Sequence, residues 1–174
     1  RVFNTSDFHL PQNRSRVLIF ATITELTKEE EDNYSSNSVK ELFDQVYKEK
    51  GISAYETVID VLAKTVPNKY YLSDKIKPTI LADGSANFRS KSEINQLIAR
   101  PLTATMHKMH RACQDNYYSQ VFIDSNGVTN EADVVSKVEL CTRPIRRITP
   151  EEAFMLQGFP AEFATNARKH GVAD

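Results

Sequence analysis

Cysteine is nearly absent: Cys113 and Cys141 are the only thiols in 174 residues. Two thiols do not make a disulfide framework, so a reducing cytoplasm is the expected setting. No apolar run approaches the roughly 20 residues that a spanning helix needs, and no secretory signal opens the chain. The five glycines (Gly51, Gly84, Gly127, Gly158 and Gly171) are scattered, and no repeat or low-complexity segment is present. An excess of one charge is missing too. With 22 Lys and Arg against 23 Asp and Glu, bulk electrostatics announce no nucleic-acid partner. The length suits one domain, or one domain and part of another, and suffices for a proper core. Arg1 rather than Met stands first, which reads as a processed chain or, in preference, a piece cut from a longer protein.

What is present is local. Residues 85–120 hold Arg89, Lys91, Arg100, Lys108 and Arg111 against Glu93 and Asp115, with His107 and His110 beside them. Arg143, Arg146 and Arg147 form a second basic cluster, whereas acidity gathers at Glu29-Glu30-Glu31-Asp32. Such asymmetry marks either a phosphate-facing surface or a solvated face.

The most tightly specified segment lies near the C-terminus. Thr149 is placed to cap a helix, Pro150 suits its first position, and Glu152 completes a capping box. Gly158 stops the helix and Pro160 prevents it restarting. At the other end, 1–8 reads as a strand and Arg16 to Ile23 as a second one, apolar on both faces and in need of a larger sheet. Thr24 to Asn37 reads as a linker. Ser38 with Glu41 and Ser53 with Glu56 then open two amphipathic helices, ended by Gly51 and Pro67. Beyond Pro67, strand-like fragments (Tyr70 to Leu72, Thr79 to Leu81, Tyr117 to Asp124) alternate with polar loops. Asn126-Gly127 carries a hairpin signal.

Three constellations bear on chemistry. Arg14 and Arg16 leave an extended segment on one face. They suit an edge-strand salt bridge, which the spacing alone favours, or guanidinium contacts to phosphate or a base edge. His107, His110 and Cys113 are three apart, but a fourth zinc ligand would have to be Asp115 or distant Cys141, and no Cys-x-x-Cys supports a metal site. Thr103 to Tyr118 reads either as a recognition loop or as a small core of Met106, Met109, Tyr117 and Tyr118 with solvated surroundings. In the loop reading Thr103, Thr105, Lys108 and Arg111 meet phosphates, His110, Arg111, Gln114 or Asn116 read base edges, and Arg100 belongs to the same DNA-binding set.

Pro11-Gln12-Asn13-Arg14-Ser15-Arg16 before an apolar strand resembles the Pro-Gln-x-Arg-x-Arg motif of cytosine-C5 DNA methyltransferases. Arg147-Ile148-Thr149-Pro150-Glu151-Glu152 with Leu156-Gln157-Gly158-Phe159-Pro160 is similar to the motif that follows the family's target-recognition region. Arg100-Pro101-Leu102-Thr103-Ala104-Thr105 partly matches an element inside that region. His9, Pro101 and Met155 depart from the family pattern, where Gly, Thr and Arg are usual. The resemblance implies an α+β chain: the closing β-hairpin of a Rossmann-like catalytic sheet (1–24), a linker and two helices (25–66), a target-recognition region (67–145), and the capped helix with its tail (146–174).

It further implies methyl transfer from S-adenosylmethionine to a cytosine flipped out of duplex DNA, in a bacterial cytoplasm and alongside a cognate restriction endonuclease. Gln12, Arg14 and Arg16 would serve the flipped nucleotide and its backbone, and Arg147, Thr149, Glu152, Gln157, Gly158 and Pro160 would be structural. The family's Pro-Cys nucleophile, Glu-Asn-Val acid, glycine-rich cofactor loop and final Gly-Asn-Ser segment are absent from these residues. The expected chain therefore partners a catalytic part and is inactive alone, with no cofactor of its own. Cys113-Gln114 copies the nucleophile dipeptide, but Ala112 precedes it and it follows Gln12, the wrong order for catalysis. A non-catalytic DNA-binding or regulatory module, or one half of a split enzyme, is the rival reading.

Overall fold

The computed structural model describes residues 1–52, 54–84, 87, 89–128 and 136–172. Short helices and two small antiparallel sheets make an α+β chain. Strand β1 (Val2–Asn4) pairs with β2 (Ser15–Val17), Phe3 opposite Arg16. Strand β3 (Tyr117–Ser119) pairs with β4 (Ile145–Arg147), Tyr118 opposite Arg146.

The helices are α1 (Lys28–Asn33), α2 (Ser36–Lys50), α3 (Lys77–Leu81), α4 (Gln120–Asp124), α5 (Lys137–Thr142), α6 (Pro150–Met155) and α7 (Glu162–Lys169). Helix α2 begins earlier than its Ser38 signal: the Ser35 hydroxyl takes the Ser38 N–H at 3.1 Å. It ends at Gly51, where φ is +60° and Ile52 N–H reaches back to Tyr47 O at 3.0 Å. Its half-buried Phe43 meets Phe8 edge-on at 5.1 Å.

The sheet β3–β4 separates two cores. Successive strand residues face opposite ways, so Tyr118 packs with Val58, Ala99, Phe122 and Leu156, and Tyr117 packs with Leu72, Ile80 and Ile145. Both faces are covered, which explains why β3 is wholly buried and shows no polar alternation.

Several expected elements take other forms. The presumed linker holds α1, because Thr27 and Glu30 form a capping box. The opening strand gives way at Thr5–Phe8 to a 3₁₀ turn. The second strand stops at Val17, and Leu18, Ile19 and Phe20 are exposed. Thr79 to Leu81 belongs to α3, and Tyr117 to Asp124 is a short strand followed by α4, whose start Ser119 caps. Tyr71 keeps strand character through a bridge to Arg146.

The second amphipathic helix does not form. Ser53, its presumed cap, lies outside the described residues, and beyond it only Val58–Asp60 makes a 3₁₀ turn. Backbone groups there bond elsewhere: Tyr55 N–H to His9 O at 3.3 Å and Val58 N–H to Leu97 O at 2.8 Å. Asn126 and Gly127 do take the positive φ their signal predicts (53° and 79°), but the turn follows α4.

Candidate nucleic-acid interface

The junction of β4 and α6 is built on one carboxylate. Thr149 Oγ1 takes the Glu152 N–H at 3.3 Å, and Glu152 Oε2 takes the Thr149 N–H at 2.7 Å, which is the capping box expected from sequence. The same carboxylate receives both Arg146 Nη atoms at 2.8 Å and the Ala63 N–H at 2.8 Å. Arg146 Nη2 also donates to Ala63 O at 2.9 Å. Arg146 is 0% and Glu152 1% exposed. This fork-on-fork pair therefore ties the strand, the helix start and the 61–64 connection into one buried knot. It also satisfies the backbone of Ala63 from outside, where a helix would have satisfied it from within.

Arg146 thus differs from the surface cation its sequence neighbours suggest. Arg143 pairs with Glu139 at 2.9 Å, and Arg147 lies over the Tyr70 ring, 5.5 Å from its centroid. The three arginines form no common phosphate-facing surface.

Arg100 to Asn116 is a loop closed at its base. Asn116 accepts the Arg100 N–H at 2.8 Å and donates to Arg100 O at 3.0 Å, so its buried amide is committed to the backbone. Asn116 does not reach a base edge; it fastens the loop. Arg100 is half-buried, directs Nε to Cys113 O at 3.3 Å and holds Nη2 3.9 Å from Glu93 Oε2. Tyr117 Oη donates to His110 O at 2.7 Å, and buried Asp115 takes the His110 N–H at 2.8 Å. Desolvation raises the Asp115 pKa above the ordinary carboxylate range, against the lowering effects of the His110 N–H and the Thr103 hydroxyl. Burial likewise pushes the Tyr117 and Tyr118 phenols up.

Thr103, Thr105, Lys108, Arg111 and Gln114 are exposed along the loop. His110 is half-buried with Nε2 2.9 Å from Thr105 Oγ1, and Arg111 Nη1 donates to Asp83 O at 2.8 Å. Met106 and Met109 are partly buried against the two cores, and Tyr117 and Tyr118 lie within them. No group of three His, Cys, Asp or Glu among the described residues is placed to hold a metal ion.

At the other end, Gln12 is buried, 1% exposed. Its segment bridges Ala99: Asn13 N–H donates to Ala99 O and Ala99 N–H to Pro11 O, both at 2.8 Å. The Arg14 backbone is pinned by Asn4 Oδ1 at 3.0 Å and Thr5 Oγ1 at 3.2 Å. Arg14 is half-buried and Arg16 exposed, and neither meets a carboxylate among the described residues, so the edge-strand salt bridge is not formed.

The two terminal motifs touch. A Cβ built on Gly158 would stand 3.1 Å from Leu10 Cδ2. Between α6, the loop and α7 lies a cavity of about 280 Å³, with Leu102, Met106, Asp115, Arg147, Phe154 and Ala167 in its walls.

Over residues 1–173 the sequence matches the family model described as C-5 cytosine-specific DNA methylase. The chain belongs to that family. The chain is 27% identical over 168 residues to the type II methyltransferase M.HaeII of Haemophilus aegyptius, an alignment covering 95% of this chain and 41% of that protein. It therefore spans about two fifths of the length of that relative. No solved structure matches it.

The residue missed from sequence is Arg146. The available signal was its place six residues before Glu152, in the middle of the short strand that begins at Ile145. Gln157, by contrast, is exposed and its Nε2 caps the Ala153 carbonyl of its own helix at 3.1 Å, a structural part. Pro160 is exposed just past that helix.

Proposed function

We propose that this chain is the DNA-recognition part of a DNA (cytosine-5-)-methyltransferase, which moves a methyl group from S-adenosylmethionine to a flipped cytosine in a specific duplex site. The observation that carries this reading is the loop from Arg100 to Asn116. Its base is locked by Asn116, and its exposed run offers Thr103, Thr105, Lys108, Arg111 and Gln114. Hydroxyls and cations suit phosphates, while Gln114 and His110 suit base edges in the major groove. Arg14 and Arg16, which meet no carboxylate among the described residues, serve the DNA backbone next to the flipped nucleotide.

Within this reading 67–145 is the recognition region, 1–24 closes a Rossmann-like catalytic sheet, 25–66 connects them, and 146–174 fixes the recognition region from behind. The apolar, exposed run Leu18-Ile19-Phe20 supports the second assignment, since such a strand suits a sheet with both faces covered. No glycine lines the cavity between α6, the loop and α7, and the five glycines of the sequence are scattered rather than gathered in a cofactor loop. In this reading cofactor and nucleophile belong to a catalytic part, and this chain alone is inactive. The type II name and bacterial source of M.HaeII support a role in a restriction-modification system, beside a cognate endonuclease in a bacterial cytoplasm. No helix among the described residues is long and apolar enough to cross a membrane.

The test is selection from a random duplex pool by gel shift. One short cytosine-containing site should be enriched. Lys108→Gln should weaken binding across all sequences and lower the salt slope by about one. Sequence-indifferent binding, unchanged by that substitution, would overturn the reading.

A further inference from the structure

Arg147 presents a charge that nothing among the described residues balances. Its guanidinium is half-buried and rests over Tyr70, and neither a carboxylate nor a hydrogen-bond acceptor meets it. A guanidinium partly withdrawn from water without a partner is costly, and that cost is removed when its fork meets an acceptor pair. The residue stands in the wall of the cavity between the recognition loop and helices α6 and α7.

The other walls define what would fit. Leu102, Met106, Phe154 and Ala167 are apolar and suit the faces of a flat ring. Asp115 adds a carboxyl to the same cavity, held in place by the His110 N–H at 2.8 Å. The volume of about 280 Å³, just under the usual ligand-pocket range, gives room for a base. A fork donor and a carboxylate acceptor in an apolar slot complement a base that carries two adjacent acceptors and, on another edge, adjacent donors. Among the bases guanine has this pattern: O6 and N7 take an arginine fork, and N1–H and the 2-amino group donate.

We propose that the cavity is a guanine-nucleotide site, in which Arg147 takes the acceptor edge and Asp115 the donor edge. The nucleotide comes either free from solution or from a DNA strand, and the strand source rests on the DNA-recognition reading above.

Calorimetric titration of the chain with dGMP, with dAMP, and with short single-stranded oligonucleotides bearing one guanine or one adenine tests this. Guanine ligands should bind in preference to adenine ligands. Arg147→Gln should weaken them by about tenfold or more, as loss of a charge-assisted fork implies. Ala167→Phe, which fills the cavity from α7, should abolish binding, and Lys40→Gln on distant α2 should change nothing. Thermal melting by circular dichroism checks that each variant is folded. Binding of dGMP identifies a free-nucleotide site; binding of the guanine oligonucleotide alone identifies a strand site. Absence of guanine binding in both forms, or binding left intact by Arg147→Gln and Ala167→Phe, overturns the proposal. A chain that binds dGMP yet enriches no duplex site loses the DNA-recognition reading and keeps this one.

Discussion

At the scale of single residues, burial separates side chains that the sequence presents as equals. Arg143 and Arg146 stand three apart in one basic cluster, yet one pairs at the surface and the other inside. Removing one partner of a buried pair leaves the other charge uncompensated, at a cost of about 3–5 kcal/mol. Arg146→Met should therefore lower the free energy of unfolding by about that amount in urea titration. Arg143→Met, which breaks a more exposed pair, should cost about 0.5 kcal/mol or less. Equal losses for the two variants would show that the Arg146 pair is not buried as described.

Asp115 gives a second residue-scale outcome. Its pKa is raised in the folded chain, chiefly by desolvation. Folding therefore favours the protonated form. The associated stability is fully present below the ordinary aspartate value of 3.8 and is lost as pH rises through the raised folded value. Glu151 has the opposite sign: its bond from Arg168 lowers its pKa, so its contribution is lost on acidification. Asp115→Asn isolates the first effect. Relative to the variant, the parent chain should lose stability as pH rises from below 3.8 towards neutrality. Urea midpoints for both chains across that interval measure this, and a constant difference would contradict the burial of Asp115.

At the scale of elements, local chemistry was legible wherever an element is closed by its own neighbours. Thr149, Pro150, Glu152 and Gly158 specify α6, and the structure ends it with Gly158 N–H on Met155 O at 2.9 Å and Phe159 N–H on Phe154 O at 3.0 Å. The contact of Phe154 with Phe159, 6.2 Å between ring centroids, completes that closure. Elements closed by distant groups were not legible. The helix expected before Pro67 is replaced because Leu97, His9 and the Arg146–Glu152 pair take its backbone groups. Tyr117 to Asp124 reads as one strand because Ser119 gives no sign that it caps α4.

The same limit applies to the site: exposed loop residues could be named in advance, but Asn116 and Gln12 are buried by partners remote in sequence. Gly158 joins the two scales. At φ +84° an alanine is strained, and its Cβ would press on Leu10 Cδ2 at 3.1 Å. Gly158→Ala should cost about 1 kcal/mol or more by differential scanning calorimetry, and Gly51→Ala, strained alike at φ +60° but with open space around it, should cost less. Equal costs would show that the two terminal motifs do not press together.

At the scale of the whole molecule, the β1–β2 hairpin and the run after it are the part that the rest of the described chain leaves uncovered. Val17 is 65%, Leu18 61%, Ile19 88% and Phe20 61% exposed, although the sequence there has the composition of an interior strand. The two cores described above are each satisfied by their own residues and draw nothing from this run. A contiguous apolar patch next to a two-stranded ribbon with free edges is a template for association. Under the proposed function the catalytic part covers it. In a solution of this chain alone, copies of the chain are the available cover. The chain should therefore sediment with a weight-average mass that rises with concentration. Ile19→Lys with Phe20→Glu should hold it monomeric without lowering its melting temperature, because neither side chain belongs to a core. A monomeric parent chain, or an associated variant, would show that the patch does not drive association.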